Sequence, residues 1–170
     1  MKLPDLTGKT VAVIGGAPGA TVPPADYVIA ASSGICAAPY ADMLVMIDSK
    51  VPPHCPGTDA DFTGLRVVGI PVERADALYI PLPYEVANGV HFRNNGISAI
   101  RIAADCGAKR IVLSGFDPAS YDSFNAEFGY AGLTAAALPA LIAELSGRGI
   151  AVEFYTPPAV KTRKSWTSAP

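Results

Sequence analysis

Charge is scarce in this chain. Asp, Glu, Lys and Arg make up 16% of 170 residues, and the net charge is −2. Proteins that hold nucleic acid by neutralising phosphates carry a basic excess, so general nucleic-acid binding is excluded. Cysteine is nearly as sparse. Cys36, Cys55 and Cys106 are odd in number and widely spaced, which argues against a disulfide framework and fits a reducing cytoplasm. No run approaches the roughly 20 uninterrupted apolar residues of a membrane span. The opening segment, Met1–Thr10, carries Pro4, Asp5 and Gly8 and lacks the apolar stretch of a secretory signal. Histidine occurs only at His54 and His91, so any imidazole base is one of these two.

What the chain does have is apolar residues (50%) together with 16 glycines and 16 prolines. This composition can bury a core in one domain, and its turn content argues against helix bundles and coiled coils. Short β-branched runs bounded by Gly, Pro or Asp predict strands at Thr10–Gly15, Tyr27–Ala30, Met43–Ile47, Leu65–Ile70, Ala77–Ile80, Arg110–Ser114 and Ile150–Tyr155. Several, such as Val11-Ala12-Val13-Ile14, are apolar throughout, the habit of parallel strands covered on both faces. Helical spacing predicts Asn95–Cys106, with Asn94 or Asn95 as N-cap and Gly107 after its end. A second helix is predicted over Leu133–Ser146, where Pro139 should kink it or mark its start. A weaker one runs through Ser33–Ala41. The alternation predicts an α/β protein, a Rossmann-like three-layer sandwich over residues 1–157 with a mainly parallel, doubly wound sheet. Residues 158–170, with Lys161, Arg163, Lys164 and Trp166, read as a loose basic tail.

Ligands of open parallel sheets bind beyond the carboxyl ends of the strands. Gly15-Gly16-Ala17-Pro18-Gly19 directly follows the first strand, and its backbone suits close approach to a phosphate or nucleoside. A plain tight turn is the bland alternative. It is not a dinucleotide fingerprint, because Ile14 stands at the first glycine position and Ala31-Ser32-Ser33 replaces the ribose-binding acid. Gly8-Lys9-Thr10 precedes its strand and is therefore no P-loop. Asp48 closes the third strand, where an acid can hold a ribose hydroxyl, an acceptor or a divalent ion. As general base, Asp48 is the first choice and His54 the second. His54-Cys55 makes a poor metal site, and Asp59-Ala60-Asp61 reads as turn residues rather than a chelating pair. Asn94-Asn95-Gly96 opens a helix and can bind an anion or read a base edge. Ser114-Gly115-Phe116-Asp117 closes the sixth strand, with Asp117 placed to take a ribose or acceptor hydroxyl. The aromatic segment Ser120–Gly132 is long enough to cover a ligand.

These motifs, in the order Val13-Ile14-Gly15-Gly16-Ala17-Pro18-Gly19, Asp26–Ala31, Ala41-Asp42 with Asp48, Asn95–Ile100 and Gly107–Asp117, resemble Rossmann-like proteins often carried by phages and prophages. Those proteins are similar to bacterial sialyltransferases and to the archaeal hydroxymethylpterin diphosphokinase family. The resemblance implies a small transferase, glycosyltransferase-like or diphosphokinase-like, in the cytoplasm of a bacterial host. It implies a nucleotide or nucleotide-sugar ligand flanked by Gly15, Gly16, Ala17 and Pro18, with Asn95 and Gly96 at its base or phosphate and Ser114, Gly115 and Asp117 in the same pocket. A homo-oligomer is compatible with it. A non-catalytic ligand-sequestering module and a phage assembly protein are the alternatives. Where sialyltransferases read Gly-Asn-Gly-Pro-Ser, Gly16, Ala17 and Gly19 stand instead, and the region before the last helix, Phe128–Thr134, has no histidine. The missing histidine counts against sialyl transfer.

Overall fold

The computed structural model describes residues 1–47, 62–71, 76–82, 85–87, 90–116 and 133–158. Its elements run β1 (Thr10–Ile14), β2 (Tyr27–Ala31), β3 (Met43–Met46), β4 (Leu65–Val68), β5 (Ala77–Tyr79), β6 (Glu85–Ala87), β7 (Val90–Phe92), α1 (Asn95–Asp105), β8 (Arg110–Ser114), α2 (Leu133–Gly147) and β9 (Ala151–Phe154). Seven strands form one sheet in the order β5-β4-β3-β2-β1-β8-β9, and every neighbouring pair in it is parallel. The chain fills one half of the sheet from β1 outward to β5, then returns to the other side of β1 with β8. The order therefore reverses between β1 and β8, the topological switch point of a doubly wound sheet. This is the α/β architecture expected from the unbroken apolar strands.

The sheet's two faces bury different side chains. Val11, Val13, Ile29, Met43, Val45, Ile111 and Leu113 face a core shared with Ile97, Ile100, Leu138, Leu141 and Leu145 of α1 and α2. Each such fully buried aliphatic contributes about 1.5–3 kcal/mol. The opposite face carries Ala12, Ile14, Ala30, Leu44, Met46 and Val68 and packs on Ile35, Ala38, Ala41 and Phe62. Among the described residues no α-helix covers that face. The weaker helix expected at Ser33–Ala41 is a 3₁₀ turn over Ser32–Cys36, short enough for small strand residues to meet it directly. In α1, Asn94 is the N-cap: its Oδ1 accepts from the Ile97 amide at 3.0 Å. Pro139 lies inside α2, which starts at Leu133 instead of at the proline.

Aspartates pin the register at the amino ends of the strands. Asp26 Oδ2 accepts from the Thr10 amide at 2.8 Å, and the Asp26 amide donates to the Thr10 carbonyl. Asp42 repeats the device one strand later, accepting from the Val28 amide at 2.8 Å and donating back to its carbonyl. Before β5, Asp76 pairs at 2.9 Å with the buried Arg66 of β4. Each of the three follows an alanine and immediately precedes a strand. They satisfy groups at strand starts that would otherwise lack partners.

Two features depart from expectation. The antiparallel hairpin β6–β7 lies where no strand was expected. Arg101 of α1 ties it down, with Nε at 2.6 Å and Nη2 at 3.0 Å from the Glu85 carboxylate, while Nη1 reaches Glu144 of α2. The expectation of reduced cysteines also fails at Cys36, which is disulfide-bonded. Cys36 ends the 3₁₀ turn in an exposed position, whereas Cys106 sits half-buried at the C-cap of α1 with a free thiol. Cys36 therefore gives no support to a reducing compartment. Among the described residues no helix is long and apolar enough to cross a membrane.

Candidate functional site

The turn after β1 is held by the turn after β8. The Gly15 amide donates to the Ser114 carbonyl at 2.7 Å and the Ala17 amide to the Gly115 carbonyl at 3.2 Å. A Cβ on Gly115 would lie 2.5 Å from the Gly15 carbonyl oxygen, and one on Gly15 would meet the Gly115 carbonyl oxygen in return. On the other side, Ser33 Oγ occupies the place where Gly16 would carry a Cβ. These glycines therefore permit backbone-on-backbone packing within the protein. Two of the turn's amides are spent on β8, and Pro18 has none. Among the described residues, the amides of Gly16 and Gly19 carry no such backbone bond.

Gly19 is different. Its φ is +80°, and nothing lies within 4 Å of a Cβ added there. It borders a crevice of about 280 Å³ at the carboxyl edge, lined by Ala17–Ala20, Ser114–Phe116, Phe154, Tyr155 and Pro157. This brings Ala17, Pro18, Gly19, Ser114 and Gly115 of the expected residues to one crevice, whereas Gly15 and Gly16 do not line it. Ser114 Oγ accepts from the Thr21 amide at 3.1 Å, which leaves its hydroxyl hydrogen free to donate elsewhere. Among the described residues lining the crevice, none is charged.

Asn94, Asn95 and Gly96 do not line the crevice. The Phe116 ring, nearly fully buried, stands between: a Cβ on Gly96 would come within 2.6 Å of it, and one on Gly15 within 3.2 Å. Asn95 is occupied elsewhere, its Oδ1 accepting from the Ile47 amide at the end of β3 at 2.6 Å. It fixes α1 to the carboxyl edge of the sheet, a positioning role that no local signal in the sequence announces.

Asp48, His54 and Asp117 lie outside the described residues, as do Asp59, Asp61 and the aromatic segment Ser120–Gly132. Among the described residues no group of His, Cys, Asp or Glu is assembled to hold a metal ion. Sequence reasoning missed Phe154 and Tyr155. Both belong to the expected last strand, but their place beside Gly19 follows from the strand order, which sets β9 next to β8. Ser32, at the carboxyl end of β2, has a φ of +49°, a conformation that non-glycine residues adopt rarely and mostly where a site requires it.

Together these features define a parallel-sheet α/β protein with a ligand-sized crevice at its switch point. Comparison with protein-family models, curated proteins and solved structures finds no match.

Proposed function

We propose that this protein binds a nucleotide or nucleotide sugar at the carboxyl edge between β1, β8 and β9, and that it is a small transferase of the glycosyltransferase-like or diphosphokinase-like kind. The observation that carries the binding reading is the crevice itself. It opens where the strand order reverses beside β1, the position at which doubly wound sheets accept such ligands. The transfer step rests on Asp48 as base, with His54 as its substitute and Asp117 orienting the acceptor. A divalent ion held by Asp48 and Asp117 is compatible with that assignment.

The absence of any titratable acid, base or cation among the described lining residues, except the Tyr155 phenol, favours a second reading, a non-catalytic module that sequesters the ligand. Thermal-shift measurements with nucleoside mono- and diphosphates and nucleotide sugars test the binding reading. A ligand at 100 times its Kd raises stability by about 2.7 kcal/mol. Incubating the chain with a ligand that binds, with and without Asp48→Asn, then separates the two. Turnover abolished by the substitution supports the transferase, and binding without turnover supports the module. Should none of these ligands shift the melting point, the nucleotide reading fails.

A further inference from the structure

We infer that the crevice is a nucleobase subsite: it takes the uncharged, planar end of the ligand between Phe154–Tyr155 and the Pro18-Gly19 turn and leaves the phosphates outside. This rests on the nucleotide reading above and assigns which part of the ligand enters. Three observations favour a ring over a phosphate. The described residues lining the crevice offer no cation, whereas buried phosphate recognition draws on Arg or Lys forks and rows of free amides. Two of the amides that could replace those cations are already committed, Gly15 to the Ser114 carbonyl and Ala17 to the Gly115 carbonyl, which leaves only those of Gly16 and Gly19 in the turn. Phe154 is 54% exposed although it stands at the crevice wall. A large aromatic left in water beside a concave site is a stacking platform, since every base presents a π-face. Size agrees as well. At about 280 Å³ the crevice falls just short of the roughly 300–1,000 Å³ of most ligand pockets, so it suits one part of a nucleotide better than the whole. The Ser114 hydroxyl, accepting from Thr21, retains a hydrogen to donate to a carbonyl or ring nitrogen of the base.

Isothermal titration of the full chain with each nucleoside, its monophosphate and its diphosphate, at low and at high salt, tests this. The expected result is that at least one nucleoside binds within about threefold of its own diphosphate, with little change between the two salt concentrations, because charge neutralisation carries little of the affinity. Phe154→Ala then weakens that nucleoside roughly tenfold or more, and Phe154→Trp preserves it, as stacking requires. Circular dichroism verifies that both variants fold. If inorganic diphosphate competes with the nucleotide, nucleosides fail to bind and Phe154→Ala is silent, the base assignment is overturned while the nucleotide reading stands. If nucleosides, nucleotides and nucleotide sugars all fail to bind, both fall.

Discussion

Gly15 and Gly115 lie back to back, each one's carbonyl oxygen standing where the other would carry a Cβ. This contact spans the switch point and joins the two halves of the sheet above their strands. It yields a contrast between glycines. Gly115 has a φ of +72° and no room, whereas Gly19 has a φ of +80° and open space. Gly19→Ala should cost only the left-handed backbone penalty, about 1–2 kcal/mol. Gly115→Ala adds a collision with backbone that cannot swing away and should cost about 2–4 kcal/mol. Urea denaturation of both variants measures the gap. Equal costs would mean that the two turns do not pack as described.

That contact also marks where the sequence stops being legible. The parallel strands could be read because most are apolar runs bounded by Gly, Pro or Asp, and the two ends of α1 because Asn94 and Gly107 are local signals. Nothing local says that Gly15 serves a residue 100 positions away, so a glycine that packs on backbone looks like a glycine that awaits a phosphate. The bond from the Ile47 amide to Asn95 is equally hidden, its two ends being distant in sequence. The hairpin is another matter. Glu85-Val86-Ala87-Asn88-Gly89-Val90-His91-Phe92 carries the Asn-Gly spacer of a two-residue hairpin loop. Its three-residue strands fall below the length at which alternation stands out among the neighbouring prolines.

Arg101 holds that hairpin. Glu85 and Glu144 raise its pKa further above the ordinary guanidinium value, the hydrogen bonds it donates to Glu85 contributing most. Its two bonds to Glu85 are charge-assisted, and the Glu85 side chain is only 12% exposed. Arg101→Met leaves that carboxylate without its partner and should cost about 2–3 kcal/mol. Adding Glu85→Gln should recover part of the loss, because the uncompensated charge is gone. A double-mutant cycle measured by denaturation checks both statements.

Tyr27 makes stability depend on alkaline pH. Burial, and then the negative charges of Asp42 and Cys106, push its phenol from 10.0 up to about 12. The folded chain therefore keeps this proton where the unfolded chain has lost it. The contribution is complete below pH 10 and disappears as pH rises from 10 to 12. Melting temperatures recorded across that range should fall more steeply for the native chain than for Tyr27→Phe. Parallel curves would mean that Tyr27 is no more buried than an ordinary surface tyrosine.

The cysteines should differ in reactivity. Cys36 is disulfide-bonded and Cys106 is a free thiol, whose pKa burial raises, with Asp105 and Asp5 adding to the shift. Because the thiolate is the reactive form, alkylation of the folded, unreduced chain should label Cys106 slowly at neutral pH and faster as pH rises. Cys36 should stay unlabelled until a reductant is added. Peptide mass mapping before and after reduction reads both sites, and labelling of Cys36 without reductant would contradict the structure.

Ser32 offers a test of whether the carboxyl edge stores strain for function. A non-glycine residue at a φ of +49° costs roughly 1–2 kcal/mol relative to glycine. Ser32→Gly relieves that cost but makes the unfolded chain more flexible. The net gain should be about 0.5–1 kcal/mol, read as a higher melting temperature. A merely tolerated outlier would end there. Because Ser32 does not line the crevice between β1, β8 and β9, the same substitution should raise the melting temperature and leave nucleotide binding unchanged. Ser32→Ala, which keeps the strain and loses the hydroxyl, should change neither. Weakened binding in both variants would mean that the strain serves the ligand site after all.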